Sequence, residues 1–373
     1  MNAFQKLTIM RCKAVIMPIF VILSLNLRSQ VPEYSRQIIR SFRIGDAVTV
    51  DITNKYGKVQ VINWDVDSVK FIIDLRIRAK DETKLQKLKQ TIDFEFTPGQ
   101  YYLVAQTKLG DSGSDVFKDI VDIAGTYLSS TNSVVINYKV MLPAHTPLKI
   151  ENKFGDVYLD DLNESLSLTL SYGDLTCNRL GARSEIRITS GNAEVNYIKD
   201  GTLYLSYGNI HVRDAGRLIA ETRSSNVTID KSASLKINSR RDKLYLNDLV
   251  SLTGESYFSR ISCGILHGEM SFTSRYGDIM LENIRRGFSQ VNITSEYTDV
   301  SLGFEQPLSF NLELTHHQDV VFIYPKSLAS LKTSVKIPEN KIFLTSGAFG
   351  SGNPESEVVI NSPRRCNITF SSR

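Results

Sequence analysis

Apolar residues recur in this chain at fixed distances from a repeated turn, and that pattern predicts its architecture. The turn reads Asn-Lys-Phe-Gly-Asp-Val-Tyr-Leu at 152–159 and Leu-Ser-Tyr-Gly-Asp-Leu-Thr-Cys at 170–177. It returns as Leu-Ser-Tyr-Gly-Asn-Ile-His-Val at 205–212 and Ser-Arg-Tyr-Gly-Asp-Ile-Met-Leu at 274–281. Taking the turn glycine as a mark, the marks are Gly57, Gly155, Gly173, Gly191, Gly208, Ser225, Asp242, Ser259, Gly277, Thr298, Gln318 and Cys366. Two and four residues after every mark the chain is apolar, from Val59 and Val61 to Ile368 and Phe370, and the residue between is mostly polar. Period-two alternation is a strand with one buried face. A second apolar column runs five residues before the mark, from Ile52 and Ile150 to Ile293, broken by Gly254 and Glu313.

Each unit is therefore strand, tight turn, strand and return. A repeat of this length means stacked units. The fold expected is mainly all-β, a β-solenoid or β-helix of about 17–21-residue coils, with neighbouring coils about 4.8 Å apart. The turn chemistry agrees. Glycine at the mark supplies a positive φ, and the Asp or Asn that follows it can bond nearby backbone. Aromatic residues just before the mark, such as Tyr56, Phe154, Tyr172, Tyr276 and Tyr297, are expected to stack as a ladder.

Gly57 and Gly155 are 98 residues apart, so the chain between them holds an insert. Lys70–Arg78, Ile92–Phe96, Tyr101–Thr107 and Ser133–Leu142 read as strands, and Asp81–Ile92 as a helix with Leu85, Leu88 and Ile92 on one face. Ser114–Ala124 reads as a short second helix capped by Ser114. This α+β insert would cover the open end of the stack against edge pairing. Residues 31–147 are then the first coil plus a β-rich cap with one or two short helices, and 148–373 the repeat domain. Residues 338–356, rich in Gly and Ser, read as a flexible loop.

Residues 1–30 differ in kind. Lys6, Arg11 and Lys13 precede an apolar run from Ala14 to Leu27, interrupted by Pro18. That is the layout of a signal peptide cleaved near Ser29 or Gln30, and the run is short for a membrane-anchoring helix. The mature chain would carry no transmembrane span and lie in the periplasm, on the outer-membrane surface or outside the cell.

This segment also changes the charge argument. The chain has 44 basic and 40 acidic residues, but Lys6, Arg11, Lys13 and Arg28 lie in the first 30 with no acid, so the rest balances at 40 of each. No basic field remains to attract nucleic acid. Cys177 and Cys263 fall in one buried column five coils apart, beyond disulfide reach. With Cys366 they are expected to be free thiols.

The coils, the entry Leu-Pro-Ala-His-Thr-Pro-Leu-Lys-Ile at 142–150 and the inserted strands and helix resemble the bacterial "putative adhesin" family of β-strand-repeat proteins of unknown function, over roughly 33–373. The resemblance implies export to the cell envelope and brings no catalytic residues. Ser225, Asp242 and Ser259 depart from its glycine-rich turns.

Candidate chemistry is sparse. Adjacent His316 and His317 would point opposite ways in a strand, and His145, His211 and His267 are scattered. No zinc-type spacing is present, and the Gly-Asp turns lack the glycine pattern of calcium-binding repeats. The outward column carries Glu194, His211 and Thr228 on successive coils, the nearest approach to a catalytic constellation. Arg223 and Arg240 share the column two before the mark with Tyr257 and Arg275, near Arg241 and Arg260. That stripe suits an acidic glycan or a phosphate-bearing surface. The competing reading pairs these arginines with Glu221, Asp242 and Glu255. No catalytic, cofactor or metal residue is assigned. The function expected is an exported, non-enzymatic binding or adhesion-like scaffold whose partner is a glycan or an envelope protein. The alternatives are a carbohydrate-active β-helix lyase or hydrolase, and an envelope sensing or assembly factor.

Overall fold

The computed structural model describes residues 31–45, 47–110, 133–351 and 354–373. The expected signal segment and the helix expected at 114–124 lie outside the described residues. Strands β8 (Leu148–Lys153), β9 (Val157–Leu159) and β10 (Leu166–Ser171) open a parallel stack. It continues through β11 (Leu175–Thr189), β12 (Ala193–Ser206), β13 (Asn209–Arg223), β14 (Asn226–Arg240), β15 (Lys243–Tyr257), β16 (Arg260–Ile284) and β17 (Gln290–Phe304). Each pairs with its successor in parallel, with Leu175 beside Ala193, Ile210, Val227, Leu244 and Ile261 in turn. Each coil has one face before the mark and one after it, so the chain is a β-solenoid.

The two apolar columns after the mark are buried from Val59 and Val61 to Val300 and Leu302. Further inward columns lie seven residues after the mark (Leu162, Leu180, Ile198, Leu249) and seven before it (Leu148, Leu218, Leu235, Leu252). The column three before the mark is mixed. It holds Asn54 and Asn152, then Leu170, Ile188 and Leu205, then Thr222, Ser239, Ser256, Ser274 and Ser295, all buried.

The turn differs from expectation in one respect. The positive φ falls on the residue before the mark, at 60° in Phe154, 56° in Tyr172, 59° in Tyr207 and 60° in Arg241. Glycine at the mark serves close approach instead. A Cβ on Gly155, Gly173, Gly191 or Gly208 would lie 2.1 Å or less from the carbonyl oxygen of the preceding mark. The Asx residues also act between coils rather than within their own turn. The N–H of Asp174 donates to Asp156 Oδ1 (2.9 Å), that of Asn192 to Asp174 Oδ1 (2.8 Å) and that of Asn209 to Asn192 Oδ1 (3.2 Å). The aromatic ladder forms in two stacks. Tyr56, Phe154 and Tyr172 are one, with centroids 5.5 and 5.2 Å apart; Phe258, Tyr276 and Tyr297 are the other, at 5.0 and 5.2 Å.

At the N-terminal end β2 (Thr49–Lys55) and β3 (Val59–Asn63) form the coil outside β8 and β9. Beyond it β6 (Tyr102–Leu109) pairs with β2 and β7 (Ser133–Leu142) with β3, both in parallel, so two insert strands build one more rung. β4 (Ser68–Arg78) and β1 (Glu33–Arg43) follow antiparallel on β7, and β5 (Ile92–Pro98) antiparallel on β6. Helix α1 (Glu82–Thr91), capped by Asp81 accepting the Lys84 N–H at 2.8 Å, buries Leu85 and Leu88 over this end.

The C-terminal end overturns three expectations. β22 (Ser356–Ser362) and β23 (Asn367–Ser372) pair with β17, while β18 (Ser309–His317) and β19 (Val321–Ile323) pair on their far side. The last coil in the sequence is thus inserted before the one preceding it. Cys366 aligns with Val320 rather than Gln318, because Val321 faces Asn367, and Leu314 fills the column place expected of exposed Glu313. Residues 342–350 of the expected flexible loop are strand β21, antiparallel to β18 and to β20 (Ala329–Ile337). Phe349 is buried there against Phe310, at 4.8 Å between centroids, which holds the segment as a strand.

Cys177, Cys263 and Cys366 are free and buried. Burial pushes the first two thiols up to about 12 and raises the third, and burial likewise pushes the Tyr138 phenol up to about 12, opposed by its hydrogen bond with Thr107. The folded state thus favours the neutral forms. Their contribution to stability is full below the ordinary thiol and phenol pKa values and is lost as pH rises through the folded values. The urea midpoint is expected to fall between about pH 8.5 and 11, more steeply than in a Cys177→Ala/Cys263→Ala variant. The three thiols should react with a disulfide reagent only after denaturation; rapid labelling of the native protein would contradict their burial.

Candidate ligand-binding groove

The face before the mark carries a concavity of about 590 Å³ over β12 to β16. Two outward rows line it. One runs Ser206, Arg223, Arg240, Tyr257 and Arg275, the other Tyr204, Glu221, Asn238, Glu255 and Thr273, and in each row the members are direct neighbours on adjacent strands. The first contains the arginine column expected from the sequence.

The residues behind the groove explain its shape. The inward column five before the mark changes from Leu203 to Ala220, Ile237 and Gly254, and the column three before it from Leu205 to Thr222, Ser239 and Ser256. Smaller inward side chains leave a thinner core, and a close-packed sheet follows its core inward. At Gly254, φ is +140° and a Cβ would meet Ile237 O at 1.9 Å.

Buried hydroxyls need partners, and a mark residue turned inward supplies them. Asp242, buried, accepts from Thr222 Oγ1 (2.7 Å), Ser239 Oγ (2.8 Å) and the Arg240 N–H (2.9 Å) at Oδ2, and from the Ser225 N–H (2.7 Å) at Oδ1. Ser259 Oγ accepts the Asp242 N–H (3.1 Å) and lies 2.9 Å from Ser239 Oγ. Sequence reasoning missed this spine. Its signal was the loss of glycine at Ser225, Asp242 and Ser259, together with Thr222, Ser239 and Ser256 three residues before those marks.

The spine also settles where the arginines stand. Asp242 spends its carboxylate inside the core. Among the described residues Arg223, Arg240 and Arg241 make no ion pair, nor do Glu221 and Glu255. Their neighbours are paired: Arg260 with Asp278 (3.0 Å) and Arg275 with Glu296 (3.4 Å). The expected pairing with Glu221, Asp242 and Glu255 is therefore not what the structure shows. Tyr257 stands edge-on to Phe258 (4.7 Å, 90°) and Tyr276 (5.7 Å, 75°), and Arg187 lies 3.6 Å over the Tyr204 ring. Ser190, Ser224 and Arg241 interrupt the aromatic ladder beside the groove.

The structure places the other candidates elsewhere. Glu194, His211 and Thr228 are neighbours on the face after the mark. His211 Nε2 lies 2.7 Å from Asp230 Oδ2 and its Nδ1 3.6 Å from Glu194 Oε1, with Arg213 on Glu194 at 3.1 Å. His316 bonds Thr345 Oγ1 through Nε2 (3.0 Å), and His317 Nδ1 accepts the Asp319 N–H (3.3 Å). Among the described residues no group of three or more His, Cys, Asp or Glu side chains could hold a metal ion.

No family model and no curated protein matches the sequence. The chain is similar to several solved structures at 9% identity. A "putative cell adhesion protein" from Clostridium sporogenes is covered over 91% of this chain and 100% of its own, with a TM-score of 0.19. A "putative adhesin" from Parabacteroides distasonis is covered over 72% and 92%, with 0.31, and another from Bacteroides fragilis over 90% and 97%, with 0.22.

Proposed function

We propose that the protein is exported to the cell envelope and acts there as a non-enzymatic β-solenoid that binds a partner along its coils. In this reading residues 1–30 are removed on export, 31–147 cap the stack together with its first coil, and 148–373 present the binding face. The observation that carries it is the groove with exposed Arg223 and Arg240 outside any ion pair, backed by a hydrogen-bonded core. Extended concave surfaces are how solenoids bind. The signal-like N-terminus supports export. No helix among the described residues is long and apolar enough to cross a membrane.

The nearest arrangement to a catalytic one, His211 between Glu194 and Asp230, lies on the face away from the groove, and its imidazole is hydrogen-bonded to Asp230 at 2.7 Å. Two tests apply. Cell fractionation should recover the protein, shortened at its N-terminus, in the envelope or medium. Immobilised protein should retain an envelope component that an Arg223→Ala/Arg240→Ala variant releases. Cytoplasmic retention of the full-length chain, or turnover of a polysaccharide panel abolished by His211→Ala, would overturn the reading.

A further inference from the structure

We propose that the groove takes a linear glycan with carboxylates on part of its sugars, a uronate-containing chain, laid along the solenoid axis; this deepens the binding reading above and rests on it. The geometry of the two rows carries it. Adjacent strands are about 4.8 Å apart, close to the advance of one pyranose in a 1,4-linked chain. A glycan running along the axis therefore meets a new coil with each sugar. Arg223 and Arg240 occupy successive coils in one row, and Glu221, Asn238 and Glu255 occupy successive coils in the other.

The rows divide the work between them. A guanidinium matches a carboxylate in a two-pronged contact. Glu221 and Glu255 accept hydrogen bonds from sugar hydroxyls, and Asn238 both donates and accepts. Tyr257, held upright by its edge contacts with Phe258 and Tyr276, supplies an apolar wall for the C–H face of a sugar ring. Both arginines and both glutamates lack ion-pair partners among the described residues, so a ligand does not have to break existing pairs to engage them.

Charge balance selects among ligands. With Arg275 paired to Glu296, two unpaired arginines stand against two unpaired glutamates, so the two surface rows carry no net charge. A polymer charged at every unit, such as nucleic acid or polyphosphate, meets the glutamates at short range and loses there what it gains at the arginines. A neutral glycan leaves both guanidinium forks without carboxylates. A chain mixing carboxylates with hydroxyls satisfies both rows.

The experiment is calorimetric titration of the purified protein with oligogalacturonate methyl-esterified on about half of its units, so that carboxylates stand on only part of the sugars, with a neutral cello-oligosaccharide of equal length and with inorganic polyphosphate. The half-esterified chain is expected to bind at least about tenfold more tightly than either, and Arg223→Ala or Arg240→Ala to weaken it about tenfold or more, the scale of a lost charge-assisted contact. Arg213→Ala, on the other face, should change nothing. Thermal melting of each variant separates lost contacts from lost folding. Equal affinity for the neutral chain, or arginine-dependent preference for polyphosphate, would overturn the ligand class while leaving a binding groove in place. If no glycan binds but the envelope capture above remains arginine-dependent, the glycan proposal falls and the scaffold reading stands. If that capture also fails, both fall.

Discussion

Replacing Asp242 by asparagine is expected to lower the stability of the solenoid by about 2 to 3 kcal/mol, seen as a lower urea midpoint. The estimate follows from the donors it faces. A carboxylate accepts on both oxygens, whereas an amide has one acceptor and one NH2 group. Of the four groups on Asp242, the Thr222 and Ser239 hydroxyls can rotate and accept from an amide. The Ser225 and Arg240 N–H groups cannot, and they lie on opposite oxygens. Whichever way the asparagine turns, either the buried Ser225 N–H or the half-buried Arg240 N–H loses its acceptor on this side chain, which costs about 1–3 kcal/mol, and the remaining bonds lose their charge assistance. Asp242→Leu removes every acceptor and should cost more. Thr222, Ser239 and Arg240 also line the groove, so ligand affinity should fall with stability in both variants. An unchanged midpoint for Asp242→Asn would mean that the buried spine does not hold these coils together.

The repeat was legible because its two columns after the mark are apolar on every coil, so each coil announces them independently of its neighbours. The column three before the mark was not legible for the opposite reason. Its residues pass from asparagine to leucine to serine and threonine, and several polar members find partners on adjacent coils, as Thr222 does in Asp242 and Ser256 in Ser274. Periodicity within a coil carries no trace of such a bond. The order of the last coils was hidden in a similar way. The strands around Cys366 have the pattern of any other coil, and nothing local says that they lie between β17 and β18. At the groove, the arginine row could be read from its column, but its lack of partners could not. That depended on Asp242 turning inward at a position where half of the marks are glycine.

The turn glycines make the same point in reverse, since the residue type was legible and its reason was not. Gly173→Ala is expected to destabilise the protein by about 3 kcal/mol, the upper end of what overpacking costs. Positive φ is not the cause, because that conformation belongs to Tyr172. A Cβ on Gly173 would lie 2.1 Å from the Gly155 carbonyl oxygen and 2.6 Å from its carbon, and backbone cannot swing aside as a side chain can. Moving the coil would stretch the Asp174 N–H bond to Asp156 Oδ1 and the Asn192 N–H bond to Asp174 Oδ1, which hold the corner on both sides. Coils marked by serine or aspartate tolerate a Cβ because their corners are built differently. There the N–H after the mark bonds the preceding mark's carbonyl directly, at 3.0 Å for Asn226 on Gly208 and for Lys243 on Ser225. Gly45→Ala, where nothing lies within 4 Å of the new carbon, should stay within about 0.5 kcal/mol of the parent. The comparison is made by urea denaturation of both variants, and equal midpoints would show that the corner yields to a methyl group without loss.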